Sequence, residues 1–348
     1  MAFIGTINSD VQFRNRIING DINIDQRFGG TANTPVGASA GTYVIDRWCF
    51  QCSPASKISI QQMQVANSSA SNYEASSAPA GFINSMKFTV ASANTVGAGD
   101  YYNLYQAVEG VNVQDLDWGT AAAKPVTLSF WVKSSVVGTY TGALKNADVN
   151  RSYPYTYTIS SANTWEQKTV TITGDTTGTW KKDNTVGIYV GFNLGAGASF
   201  TGGTVNTWSA INTQGVTGQT SLQGASNSGA TWYLTGVQLE PGSTATPFEH
   251  RPFGMELALC QRYYYSWSSS GLSDNYYHYS PYVSSPPNTT ASVGYFFPVT
   301  MRANPTMVGT GLSLNRFTAN QNGAVSQLGS TSGATAYSLS AFTATAEL

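Results

Sequence analysis

Alternating apolar and polar residues run through most of the chain and predict β-strands. In the segment 124–133 the side chains of Val126, Leu128, Phe130 and Val132 take every second position, which places them on one face of a strand. Comparable runs cover 164–173, 185–194 and 231–239, and glycine-rich turn segments such as 195–197 and 240–242 separate the runs. Many short strands with such turns predict an all-β fold with a jelly-roll β-sandwich over residues 14–252.

One segment interrupts the strand pattern. Good helix formers are concentrated around Met255, Leu257 and Leu259, and they predict a short helical connector at 253–265. A smaller C-terminal β domain is expected at 266–348, where only four side chains are fully charged. A surface with so little charge is expected to pack on other subunits. Met255, Leu257 and Leu259 are therefore candidate oligomer contacts.

Composition narrows the function classes. Only 10% of the residues are charged, whereas about 25% is usual for a globular protein, and the formal net charge is −1. Without a basic patch, nucleic-acid binding has no electrostatic support. There is no run of 18 apolar residues, and the N-terminus does not resemble a secretory signal, so we expect no membrane span and synthesis in a cytoplasm.

Residues 1–13 contain apolar side chains but no Lys or Arg, and we expect them to form an arm that anchors the chain to another protein.

Tyrosine clusters are the candidate ligand-binding residues. Tyr rings stack on the apolar faces of sugars, and their hydroxyl groups hydrogen-bond to sugar hydroxyls. The spacing of Tyr153, Tyr155 and Tyr157 places three rings on one face of a strand, where they could form a stacking platform, sandwich core or a subunit contact. A second cluster lies among Ser, Pro and Asn residues and predicts ligand-facing loops: Tyr276, Tyr277, Tyr279 and Tyr282.

Catalytic and metal-binding patterns are weak. Asp115 and Asp117 could supply the paired carboxylates of a glycosidase, but no neighbouring residues desolvate them, so we interpret them as loop acids and expect no enzyme activity. Oxygen ligands for a structural Ca²⁺ could come from Asp21, Asn23 and Asp25, although the spacing lacks the Gly and Glu of an EF-hand. A structural turn is the preferred interpretation there, and we predict no cofactor.

Several motifs occur in a characteristic order between residues 15 and 265. They are Asn-Arg-Ile-Ile-Asn-Gly-Asp-Ile-Asn at 15–23, Asp-Arg-Trp at 46–48, Ser-Phe-Trp-Val-Lys-Ser at 129–134, Gly-Val-Gln-Leu-Glu-Pro-Gly at 236–242 and Pro-Phe-Glu-His-Arg-Pro-Phe-Gly at 247–254. Together they resemble tail-fibre and virion structural proteins of tailed phages and prophages that carry a carbohydrate-binding-module-like jelly roll.

The resemblance implies a jelly-roll sandwich, a place in the virion and a homotrimer. We therefore expect a tail-fibre or receptor-binding subunit that attaches to host-surface glycan and contacts other virion proteins through its N-terminal arm. A capsid decoration protein (a cement protein or head fibre) or a tail adaptor with a purely structural role is the alternative. The resemblance does not decide between tail and capsid, and the family's motifs define no sugar-contacting residues.

Overall fold

The computed structural model describes residues 13–35, 38–55, 57–224, 226–268, 290–311, 314–329 and 339–348. Within these ranges nearly all regular structure is β, with a single α-helix, so the predicted all-β fold class is confirmed. The chain divides into two compact units, one formed mainly by residues up to Arg251 and one formed mainly by Pro252–Leu348.

The first unit is a sandwich of two antiparallel sheets. The six-stranded sheet has the order β1-β2-β5-β10-β7-β8 and is formed by β1 (Ala38–Ile45), β2 (Trp48–Cys52), β5 (Tyr101–Glu109), β10 (Val186–Ala196), β7 (Gly138–Asn146) and β8 (Ser152–Ile159). The five-stranded sheet has the order β3-β4-β11-β6-β9 and is formed by β3 (Ile58–Gln64), β4 (Asn84–Val90), β11 (Thr231–Pro241), β6 (Val126–Ser134) and β9 (Glu166–Ile172). Neighbours in each sheet are mostly distant in sequence, as expected for a jelly roll.

Aromatic side chains fill the space between the two sheets. Phe192 of β10 contacts Phe130 of β6 at a ring-centroid distance of 5.0 Å and Trp232 of β11 at 6.2 Å. The alternating residues of β6 that the sequence placed on one face are fully buried. The hydrophobic period of that segment therefore identified the core face of the strand correctly.

Residues 15–19, at the start of the first motif described above, pack against one part of this core. Gln106 of β5 accepts a hydrogen bond from the Ile18 amide at 2.8 Å and donates one to the Ile18 carbonyl at 2.8 Å. The Trp48 indole donates to the carbonyl of Asn19 at 3.0 Å, and Asn15 donates to the carbonyl of Val237 at 3.0 Å. These buried contacts make the motif a determinant of the fold.

The second unit contains α1 (Phe253–Gln261) and two three-stranded antiparallel sheets. One sheet is β12-β17-β14, formed by β12 (Tyr264–Ser268), β17 (Leu339–Thr345) and β14 (Thr306–Gly311). The other is β13-β16-β15, formed by β13 (Thr290–Phe296), β16 (Gly323–Gly329) and β15 (Leu314–Asn320). Phe342 lies at the centre of a small core that includes Phe297 and Met301.

Two short segments from early in the chain, Ile24–Gly29 and Ile45–Arg47, also belong to this second unit, although the sequence analysis counted them with the jelly roll. Arg47 is buried, forms an ion pair with Glu347, and its guanidinium lies 3.4 Å from the ring centroid of Tyr263. Arg27 pairs with the same carboxylate at 2.6 Å. The pairing joins residues about 300 positions apart in sequence, which explains why periodicity alone could not assign these segments.

Candidate functional site

The outer face of the six-stranded sheet carries the candidate site. Because Phe192 points into the core, the alternation along β10 turns Tyr189, Gly191 and Asn193 to the opposite side. We call this side of the sheet, away from the five-stranded sheet, the outer face. Between the two irregularities of the β10–β5 register, its β10 positions are Tyr189, Gly191 and Asn193.

Strand register brings residues from four strands together in rows across this face. Tyr189 is aligned with Ala107 on β5 and Lys145 on β7, and Lys145 is aligned with Ser152 on β8. The next row contains Tyr105, Gly191, Ala143 and Pro154, and the row after it contains Asn103, Asn193, Thr141 and Thr156. Small residues at Gly191 and Ala143 therefore lie between a row with Tyr and Lys and a row of amide and hydroxyl side chains.

Two tyrosine rings border the outer face. Tyr105 and Tyr189 pack edge to face with ring centroids 5.4 Å apart, and Tyr189 remains partly exposed. Burial raises the pKa of both phenols, so each remains a neutral group that can donate and accept hydrogen bonds. Gly41 on β1 has φ of +82°, and a Cβ there would lie 3.1 Å from the Tyr105 hydroxyl and 2.5 Å from the Cys49 sulfur, so glycine is required at that point.

The connection between β10 and β11 folds over part of this face. Gln219 donates to Asn193 Oδ1 at 2.6 Å and accepts a hydrogen bond from the hydroxyl of Thr141. At the start of β8, the Ser152 hydroxyl donates to the Ile211 carbonyl at 2.6 Å. The connection therefore covers the β7–β8 half of the face, while Tyr189 stays partly open.

Several buried polar atoms beneath and within this connection have no hydrogen-bond partner in the described part of the chain. They are Asn193 Nδ2, Thr213 Oγ1, Gln214 Oε1 and both side-chain polar atoms of Gln223. A buried polar atom left unpaired costs about 1–3 kcal/mol. Such a group of donors and acceptors is suited to buried water molecules.

Lys145 of β7 carries a positive charge on the outer face. Its side chain is only 8% exposed, and its ammonium donates to Asn212 Oδ1 at 3.4 Å. Within the described ranges no carboxylate oxygen lies within 4.0 Å of this nitrogen. Burial lowers the pKa of Lys145 to about 8 because the charged form loses its hydration.

The tyrosines of β8 correct one of the sequence-based hypotheses. Tyr153, Tyr155 and Tyr157 do share one face of the strand, but that face points into the sandwich, where the rings are 3%, 0% and 5% exposed. Tyr157 packs against Phe130 at 5.0 Å. A stacking platform formed by these three rings is therefore excluded in this fold, because a sugar cannot reach them.

The other candidate residues have different outcomes. Tyr276, Tyr277, Tyr279 and Tyr282 lie outside the described residues, as do residues 1–12 of the arm. Met255 is 41% exposed on α1, and Leu257 and Leu259 are partly exposed. An oligomer contact through these three side chains stays a prediction.

The acidic residues considered for catalysis are engaged in ion pairs. Asp115 lies in a 3-10 helix (Gln114–Leu116) and pairs with Arg16 at 2.7 Å, and Asp117 pairs with Lys124 at 3.2 Å. Asp117 ends that helix in the left-handed conformation, with φ of 56°, so neither acid lies on a strand, which agrees with their interpretation as loop acids.

The residues considered for Ca²⁺ are engaged in local hydrogen bonds. Asn23 donates to Asp21 at 2.5 Å and accepts from Asn84 at 2.7 Å, while Asp25 caps the amide of Phe28 at 3.0 Å. No group of three or more His, Cys, Asp or Glu side chains arranged to hold a metal occurs among the described residues. All three cysteines are buried, and none of them forms a disulfide bond.

A tryptophan cluster that the sequence analysis did not identify lies elsewhere in the first unit. Trp118, Trp180 and Trp208 pack edge to face with centroid distances of 4.7–5.3 Å. Each indole nitrogen donates to a backbone carbonyl, and Trp118 is buried. With their polar edges occupied, these rings serve to hold loops together.

Comparisons with other proteins find distant likenesses. No protein-family model matches the chain, and no curated protein matches its sequence. One similar solved structure is the enzymatically active domain of tailspike protein 4 of bacteriophage CBA120, with 11% identity and a TM-score of 0.32 over 66% of this chain and 21% of that chain. The likeness thus spans about a fifth of the tailspike domain.

Two carbohydrate-binding modules are also similar. TmCBM61, solved in complex with beta-1,4-galactotriose, has 13% identity and a TM-score of 0.31 over 66% of this chain and 99% of that chain. The family 11 module of a cellulosomal cellulase of Clostridium thermocellum has 12% identity and a TM-score of 0.26 over 63% and 99%. At these TM-scores the likenesses support no inference about function. No helix in the described ranges is both long and apolar enough to cross a membrane.

Proposed function

We propose that the protein is a non-enzymatic structural subunit of a phage virion that binds host-surface glycan through the outer face of its six-stranded sheet. The observation that carries this proposal is the partly exposed ring of Tyr189 on that face, beside the β10–β11 connection that holds several buried amide and hydroxyl atoms without a partner. A glycan offers the matching chemistry, because its hydroxyls both donate and accept hydrogen bonds and its ring carbons present an apolar face.

The arrangement favours weak, reversible binding. A ring that stacks on one tyrosine gains on the order of 1 kcal/mol, and hydrogen bonds that replace water add little more each. Such a site needs multivalency, and a homotrimer in many copies could raise avidity by about 10²–10⁴ without new contacts. The low charge content of the chain is suited to subunits that pack together, and the resemblance of its motifs to tail-fibre and virion proteins supports a virion location.

Glycan-array binding of the full-length protein and two variants tests the proposal. Tyr189→Ala removes the partly exposed ring of the outer face, and Tyr73→Ala removes a ring that is 36% exposed in the loop between β3 and β4. We expect Tyr189→Ala to lose most array binding and Tyr73→Ala to retain it.

Location within the virion needs a second measurement. Antibody labelling of particles for electron microscopy is expected to mark the tail. Label on the head, together with no glycan binding by the intact particle, would instead support the decoration or adaptor role.

A further inference from the structure

The ammonium group of Lys145 is positioned on the candidate glycan face. Lys145 is aligned with Tyr189 on the neighbouring strand, so its side chain and the partly exposed ring lie in one row of the outer face. The group that receives its hydrogen bond, Asn212, is exposed, although Lys145 itself is almost entirely buried. The aliphatic stem is therefore covered, while the ammonium reaches the rim of the face.

Charge compensation at Lys145 differs from that of the other buried cations. The described chain has three Lys or Arg residues that are less than 9% exposed, namely Arg47, Lys133 and Lys145. Arg47 has the carboxylate of Glu347, and Lys133 has the carboxylate of Glu74 at 3.5 Å and the ring of Tyr233 at 4.0 Å. Lys145 has one long hydrogen bond to a neutral amide. Buried charges are normally paired, so the missing partner calls for a source outside the described chain.

Polar atoms without a partner lie close in sequence to this position. Asn212 is followed directly by Thr213 and Gln214, whose buried side-chain oxygens are among the atoms without a partner. One short stretch of the β10–β11 connection thus places two unpaired acceptors next in sequence to the residue that Lys145 contacts. A ligand with a negative group would supply the ammonium with the charged partner that the described chain lacks.

We propose that the glycan bound by the outer face is acidic, and that its carboxylate or phosphate group pairs with the ammonium of Lys145. This inference rests on the proposed glycan-binding function and adds the chemical class of the sugar. Tyr189 packs against the ring of the same residue or of its neighbour. Charge-assisted hydrogen bonds of this type are about twice as strong as neutral ones.

Matched polysaccharides test the charge requirement. Polygalacturonate, alginate and hyaluronan are compared with their carboxyl-reduced forms, which keep the rings and lose the charge, and a teichoic acid supplies phosphate in place of carboxylate. Binding of the full-length protein is measured by biolayer interferometry. We expect at least one acidic polymer to bind. Its carboxyl-reduced form should bind at least about 10-fold more weakly, because one charge-assisted contact is lost. For teichoic acid, the comparison is with a neutral polymer.

Two lysine variants assign the effect to the residue. Lys145→Met keeps the length of the side chain and removes its charge, and Lys182→Met removes an exposed lysine as the matched control. We expect the first variant to lose at least about 10-fold in affinity for the acidic polymer and the second to bind like wild type, with both folded by circular dichroism.

The possible failures separate the two proposals. Binding to neutral polymers alone, or equal binding of acidic and reduced forms, overturns the acidic specificity and leaves glycan binding standing. Unchanged affinity of Lys145→Met for an acidic polymer also overturns the assignment. No binding to any polymer, acidic or neutral, contradicts both proposals.

Discussion

Removal of the buried charge at Lys145 should stabilise the protein at neutral pH. A pKa that falls from its ordinary value of 10.5 to about 8 corresponds to about 3 kcal/mol, at about 1.4 kcal/mol per pH unit. Below pH 8 the amine is charged in the folded and the unfolded chain, so folding bears the full cost of burying the charge. Between pH 8 and 10.5 the folded chain loses the proton and the unfolded chain keeps it, so the cost shrinks as pH rises.

The measurement is the free energy of unfolding in urea for wild type and Lys145→Met at pH 7, 8, 9 and 10. We expect the variant to be more stable by up to about 3 kcal/mol at pH 7, with the difference shrinking steadily towards pH 10. Lys182→Met, at an exposed position, is the control and should show a difference close to zero at every pH. A Lys145→Met protein that is no more stable than wild type at pH 7, or whose gain does not change with pH, would refute this account of the buried charge.

Four further results are expected. Phe130→Ala should destabilise the sandwich by about 3–5 kcal/mol in urea unfolding, because the ring is fully buried between the sheets; a loss below 1 kcal/mol would argue against that packing. Tyr189→Phe should keep the stacking ring and lose only the hydroxyl, so its glycan affinity should lie between wild type and Tyr189→Ala by interferometry. Leu259→Asp should weaken assembly in light scattering more than it lowers the melting temperature of the jelly roll; equal loss of both would make α1 a core element. Deletion of residues 2–12 should leave the circular dichroism spectrum of the jelly roll unchanged and remove the protein from purified particles, and normal incorporation would rule out an anchoring arm.

The fold class could be predicted from the sequence because strand periodicity is a local property. Val126, Leu128 and Phe130 alternate within one strand, and all three are buried as that alternation requires. The same local rule could not decide the role of Tyr155. Alternation shows that the β8 tyrosines share a face, but only packing against Phe192 shows that this face is the inner one.

The candidate site depends on long-range register that the sequence does not display. Lys145 is aligned with Tyr189 because β7 pairs with β10, although 43 residues separate them in sequence. The covering connection, which brings Asn212 to Lys145, comes from a further part of the chain. One local signal was available: Gly191, between Tyr189 and Asn193 on β10, indicates a strand position whose outer side has no side chain of its own.

A crystal structure with a bound oligosaccharide tests the central claim most directly. The full-length protein would be crystallised with a fragment of the polymer it binds best. The account predicts sugar density on the outer face of the six-stranded sheet, with a ring against Tyr189 and an acidic group within hydrogen-bond distance of Lys145 Nζ. Sugar bound elsewhere, such as at the tryptophan cluster or on the second unit, with the outer face unchanged, would contradict it.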